Sequence, residues 1–557
     1  MAHSIDSNRP VLIVDDSPMY RTAAKGMLQR LGYPNQRIDF AQDAKEARLR
    51  CAESNYALIL FDYNLGKQAN GYQLIDQLKF EDLLSPDCVI IIVTGDGTPE
   101  VVRGFMELEP DGYLLKPLSY DMLKERLPQF CLKKRHLSGV LNQIGLGKYQ
   151  SAIDMIDQAF YRNDEVITRG QLLKARALLK LGQLDDARNV LINLKGSSDH
   201  PSVLLELAKL ACIQRQYKQG LFLTELMKKD ALRRALAHDI ACDIHALQHQ
   251  YQAALEEMEA AIEISPKMLS RHEKKVAIHV AQGQLPDAIV SLKVLSSESK
   301  NSFRESVDHL LLTASLHLDL AQFGGSESLQ GQFARCARLV EQWRQNFTRD
   351  QYKAYEALFF CRIFHLKSEF NKSRAFYTKY KELTLDIEEH TPSLFESMEL
   401  AKAAFLMNDL EQYKAAVIKV NQLLEQHTSD CIRQGWTRYF HQYRTNAEQS
   451  YAELKKVKEY AKAHISNRHY DKAINLLGKS VKDNRVDSEL CLLTLEAMTK
   501  SWPHSWSKSQ VAKVAMVCKE HLRGTPQSKT RIFQTACNTL AKQLDFSELR
   551  VTSDIAA

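Results

Sequence analysis

At 557 residues the chain is longer than one hydrophobic core usually serves, so several domains or a repeat array are expected. Hydrophobic residues make up 45% and charged residues 25%, an ordinary globular composition; no apolar run of 18 residues and no secretory leader is seen, which predicts a cytoplasmic protein with no membrane span. The formal net charge of +6 is unevenly spread: residues 1–130 carry 14 basic and 19 acidic side chains, residues 431–557 carry 21 and 12.

Up to about residue 130, short β-rich runs alternate with helical stretches. The runs are "PVLIVDD", "RIDFA", "YALILFD", "CVIIIVT" and "GYLLKP", with helices expected over 18–31, 43–51, 72–78, 99–107 and 120–130. Continuous apolar runs are those of a parallel sheet covered on both faces, so the first domain is an α/β doubly wound sheet whose ligands gather at the carboxyl ends of the strands. Those ends hold Asp15 and Asp16, Asp62, Thr94 and Lys116, each in a chemically useful place. Three carboxylates in one crevice repel one another unless a hard cation joins them. Magnesium suits them, taking oxygen ligands and working with a few carboxylates plus a phosphate, while a carboxylate can serve as the covalent nucleophile. Thr94 could then hydrogen-bond a phosphoryl oxygen and Lys116 pair with it. A single "DD" is usually a solvated turn or an N-cap and a single "KP" carries almost no signal; acid pair, acid, Thr and Lys-Pro ending separate strands in order is a different pattern.

Residues 8–130 resemble the receiver domains of bacterial two-component response regulators, on "VDDS" (Asp15, Asp16), "FDYNL" (Asp62), "VTGDG" (Thr94, Gly95) and "GYLLKP" (Tyr113, Lys116, Pro117). The resemblance implies five parallel strands in the order 2-1-3-4-5. It implies Asp62 as the phosphoacceptor for a histidine kinase, and Mg2+ held by Asp15, Asp16, Asp62 and the backbone carbonyl of Asn64. It also implies Thr94 and Lys116 as phosphoryl-binding residues, and Thr94 and Tyr113 as the switch pair. Gly66 stands where the family usually has proline, which frees a dihedral in the loop after the acceptor.

The rest of the chain is helical and repetitive. "GKYQSA" (Gly147), "GQLDDA" (Gly182), "RQYKQG" (Arg215), "HQYQAA" (His249) and "GQLPDA" (Gly283) recur at intervals of 35, 33, 34 and 34 residues, with looser echoes at "SEFNKS" (Ser368), "NDLEQY" (Asn408) and "RHYDKA" (Arg468). This region resembles tetratricopeptide-repeat (TPR) proteins, which implies an all-α superhelical array that binds protein partners. The expected domains are 1–130, a receiver; 131–300, the regular array; and 301–557, degenerate TPR-like repeats with a basic end, interrupted by a loop over 324–332.

No catalytic motif is evident beyond residue 130, and the 11 cysteines lack any C-x-x-C pair, so neither an enzyme, a zinc site nor a disulfide framework is expected. His238, His245 and His249 are expected on one helix, without a third ligand that would make the last two a metal site. The favoured reading is a signalling adaptor whose array is controlled by phosphorylation of Asp62, with a homodimer left open. The alternatives are a phosphoryl sink or kinase-docking inhibitor and, less favoured because no helix-turn-helix or RNA-binding motif is present, a nucleic-acid-binding regulator using the basic end.

Overall fold

The computed structural model describes residues 9–63, 65, 71–95, 110–159, 163–197, 201–323, 329–385, 390–482 and 486–551. The helix expected over 99–107, together with Asn64 and Gly66, lies outside these residues. Five strands, β1 (Val11–Val14), β2 (Ile38–Ala41), β3 (Leu58–Asp62), β4 (Val89–Thr94) and β5 (Gly112–Leu115), form an all-parallel sheet in the expected order β2-β1-β3-β4-β5. Every residue of β1, β3 and β4 is buried, which is why these strands read as unbroken apolar runs.

Alternate strand residues divide between two cores. Leu12, Val14, Ile59, Phe61, Ile90 and Ile92 pack on one side with Ala44 and Ala47 of α2 (Ala44–Glu53) and with Leu74 and Leu78 of α3 (Gly71–Phe80). Val11, Ile13, Leu58, Leu60, Ile91 and Val93 face the other side, against Ala24 and Leu28 of α1 (Pro18–Arg30) and Leu123 and Leu127 of the helix Tyr120–His136. Each large aliphatic side chain so buried contributes about 1.5–3 kcal/mol, so the two cores are the main stabilisation of the sheet that carries the edge. Ser17 caps α1 by accepting from the Tyr20 amide, with Pro18 in the first turn; Asp43 caps α2 by accepting from Glu46.

The helix after β5 runs six residues past its expected end at 130, to His136, and the next helix starts at Ser138. From there on the described residues form helices. At all eight hexamers the first residue is left-handed, with φ between +57° and +76°, and the following helix begins at the third residue: Tyr149, Leu184, Tyr217, Tyr251, Leu285, Phe370, Leu410 and Tyr470. The preceding helices close on their last carbonyls, as Gln183 N to Leu178 O, Gln250 N to His245 O and Asp409 N to Ala404 O do, each at 2.9 Å. The sixth position is small and buried at seven of the eight sites; at Gly220 an added Cβ would strike Ile244 of the following helix, Arg234–Leu247, and lie 3.7 Å from Ala211 of the preceding one. The exception is Tyr413.

Two compact units result: Met1–His279 with Val294–Glu305 and Ser429–Ile432, and Val280–Lys293 with Ser306–Thr428 and Arg433–Ala557. The sheet domain and the first hairpins thus share one unit. The second contains a fully buried ionic cluster, in which Arg362 pairs with Asp319 at 2.7 Å and with Glu399 at 2.9 Å, and Lys402 with Asp319 at 2.8 Å. Two expectations are corrected. His249 is not on a helix with His238 and His245, since Arg234–Leu247 ends before it and His249 is the left-handed turn residue. The loop expected over 324–332 is helical from Leu329 onward, because the helix Leu329–Asn346 buries Gln332 beside His317, at 2.7 Å.

Candidate functional site at the carboxyl edge of the sheet

Strand register builds the site. Asp62 is the last residue of the central strand β3, opposite Val93. Asp15 directly follows β1 and is held there by its amide, which donates to Ala41 O at 3.1 Å. Lys116 follows β5, its amide donating to the carbonyl of Thr94 at 2.7 Å. Asp15 and Asp62 are only 2% and 6% exposed, whereas Asp16 is open to solvent. One carboxylate oxygen from each of the three lies within 4.8 Å of the others.

The Lys116 ammonium lies 2.8 Å from Asp15 Oδ2 and 2.8 Å from Asp62 Oδ2. Burial favours its neutral form, but the hydrogen bonds to Asp15 and Asp62 outweigh burial and raise its pKa above the ordinary lysine value. Three carboxylates against one ammonium leave a net-negative set of hard oxygen donors, the chemistry a small divalent cation takes. The remaining Asp15 oxygen accepts from the Ser17 amide at 2.9 Å, which fixes its carboxylate at the start of α1.

Thr94 is buried at the same edge, and Tyr113, on β5, is part-buried against the core formed by Phe61 and Ile92. The edge therefore gathers Asp15, Asp16, Asp62, Thr94 and Lys116; Asn64 lies outside the described residues. His245 and His249 do not act together: His245 Nδ1 bonds Gln250 at 2.8 Å and His249 Nδ1 bonds the Tyr251 hydroxyl at 3.2 Å.

Sequence reasoning missed two residues here. Lys116 lies 4.1 Å above the Tyr20 ring, and the Tyr20 hydroxyl accepts from the Leu118 amide at 3.0 Å, tying α1 to the segment after β5. Gly71 donates its amide to Tyr63 O at 2.8 Å, and a Cβ on it would fall onto the carbonyl oxygen of Asp62. The sequence signal for Gly71 is the Asn-Gly pair at 70–71, and Tyr20 carries none.

Residues 11–128 match the model of the response regulator receiver domain, and with the sheet order and acidic edge they define a CheY-like receiver of two-component signalling. Among relatives, this stretch is 29% identical over 118 residues to the chemotaxis protein CheY1 of Helicobacter pylori, covering 21% of this chain and 92% of that one. It is 32% identical over 106 residues to a gliding motility regulatory protein of Myxococcus xanthus, covering 19% of this chain and 13% of the relative. It is 33% identical over 118 residues to the sensor histidine kinase AruS of Pseudomonas aeruginosa, covering 21% and 11%. The chain thus spans only a small part of the length of the last two.

Proposed function

We propose that this protein is a response regulator that accepts a phosphoryl group on Asp62 from a histidine kinase and responds by changing the protein contacts of its helical region. The observation that carries this reading is the Lys116 ammonium, 2.8 Å from both Asp15 and Asp62 beside three clustered carboxylates. An Asp62 oxygen attacks the phosphorus of a phosphohistidine; the P–N bond breaks as the O–P bond forms, and the freed imidazole takes a proton. Asp15, Asp16 and Asp62 are the residues that would hold magnesium, which supplies positive charge against the incoming phosphoryl oxygens. Lys116 exchanges its bond to Asp62 for one to a phosphoryl oxygen, and the Thr94 hydroxyl donates to another. Tyr113 then follows Thr94.

The eight left-handed hairpin turns, seven of them followed by a small buried residue, support a TPR-like array whose exposed faces bind protein partners. Output through nucleic acid is disfavoured, since part of the basic C-terminal charge is paired: Lys458 with Asp487 and Glu489, each at 2.6 Å, and Lys462 with Glu489 at 2.5 Å. No described helix is long and apolar enough to cross a membrane, which supports action in the cytoplasm. We read the protein as carrying no enzymatic activity beyond the receiver's own phosphorylation and dephosphorylation.

The test is phosphorylation by acetyl phosphate with magnesium. Wild type should take up base-labile label, Asp62→Asn should take up none, and Asp16→Ala should require far more magnesium. Equal labelling of Asp62→Asn would refute the assignment.

A further inference from the structure

Tyr63, the residue after the acceptor, and the outer side of α3 are covered by a part of the same chain about 200 residues away in sequence. Met268 packs into the receiver core that contains Phe61, Ile92 and Tyr113, and the Tyr72 hydroxyl donates to its sulfur. Lys267 Nζ donates to the Tyr63 hydroxyl at 3.2 Å. Arg304 donates to Asp76 at 2.8 Å, and its guanidinium lies 4.8 Å above the Phe303 ring and 5.6 Å from the Phe80 ring. Phe80 and Phe303 have ring centroids 5.4 Å apart. All of these residues belong to one compact unit.

We infer that the receiver face formed by Tyr63, Tyr72, Asp76 and Phe80 is a seat for the chain's own Lys267–Met268 and Phe303–Arg304 segments, and that this seat reads the state of Asp62. Nothing in chain connectivity forces these segments together; apolar, cation–π and ionic contacts select the pairing. The route to Asp62 is short and covalent. Tyr63 adjoins the acceptor, and Gly71, at the start of α3, is pinned to Tyr63 O and pressed against the Asp62 carbonyl. Met268 and Tyr113 pack against the same core, so a Tyr113 that moves in response to Asp62 repacks a core that Met268 also borders.

The sign follows from charge. The seated segments bring two cations, Lys267 and Arg304, and phosphorylation of the magnesium-loaded edge turns one carboxylate charge into the larger negative charge of a phosphoryl group at the residue before Tyr63, so at constant magnesium phosphorylation tightens the seat. The helical region's first partner is therefore its own receiver, and phosphorylation withholds the Lys267–Arg304 surface from other proteins. This coupling rests on the assignment of Asp62, whereas the seat itself does not.

Amide hydrogen exchange of residues 267–273 and 303–305 in the full-length protein separates the two. Without phosphodonor, Asp76→Arg and Arg304→Asp should each speed exchange there by about fivefold or more, the lower end of ordinary couplings. The double variant should restore protection, which a merely structural defect would not do. Unchanged exchange in both single variants would overturn the seat. Relative to magnesium alone, acetyl phosphate with magnesium should slow exchange in wild type by a similar factor and leave Asp62→Asn unchanged. Label on Asp62 without slower exchange would overturn the coupling; absence of label would overturn the phosphoacceptor assignment and leave the seat standing.

Discussion

The Lys116 ammonium lies 2.8 Å from Asp62 Oδ2, the carboxylate that the proposed function makes the phosphoacceptor. The same ammonium, equally close to Asp15, is the internal counter-ion of the acidic edge. Lys116→Met therefore leaves three carboxylates facing one another and should destabilise the metal-free receiver by about 1–3 kcal/mol. Magnesium should raise the melting temperature of this variant more than that of wild type, and should hardly affect Asp16→Ala. An equal magnesium shift in all three would show that the ion binds elsewhere.

Gly71→Ala places a methyl group on the Asp62 carbonyl, where backbone rather than a flexible side chain must yield. A cost of about 1–3 kcal/mol is expected from such overpacking, together with slower phosphorylation of Asp62. Urea unfolding and the rate of acetyl-phosphate labelling measure the two effects. An unperturbed variant would mean that the loop after β3 is free to move away.

The receiver was legible because its physics is written locally. A parallel sheet buried on both faces demands unbroken apolar runs, and the residue ending each run must lie on the ligand edge; hence Asp15, Asp16, Asp62, Thr94 and Lys116 could be named from sequence. The first five hairpin turns were legible by spacing rather than residue type, for Arg215 and His249 adopt the left-handed conformation that Gly147 and Gly182 adopt more readily. Contacts between distant residues were not legible: Gly71 against Asp62, Met268 under Tyr72, and the cluster joining Asp319, Arg362, Glu399 and Lys402. Nor was the 37-residue helix Asp430–Ser466, whose span exceeds any repeat period.

That ionic cluster makes a strong prediction. Arg362→Met removes the shared partner of Asp319 and Glu399 and should destabilise the second unit by about 3–5 kcal/mol, the usual cost of leaving buried charge uncompensated. Removing Arg362 and Glu399 together should cost less than the sum of the single changes, a difference that a double-mutant cycle in urea reads directly.

Acid should weaken the same unit through its buried histidines. Burial lowers the pKa of His309 to about 4, of His365, with His521 nearby, to about 3, and of His521, with Arg374 nearby, to about 4. Between these values and the ordinary 6.5 the unfolded chain binds more protons than the folded one, so stability is full above about pH 6.5 and falls as the pH drops toward 4. Urea midpoints of the unit's transition should decline across that window, and less steeply in His365→Gln. A flat profile would mean that these imidazoles are protonated in the fold.

The acceptor itself can be identified by intact-mass and peptide mass spectrometry of the full-length protein after acetyl phosphate and magnesium. The expected result is one phosphoryl group per chain, lost in base and mapped to the peptide containing Asp62, with none on Asp62→Asn. A phosphoryl group that persists on Asp62→Asn, or maps to any other residue in wild type, would contradict the assignment of this edge as a phosphorylation site centred on Asp62.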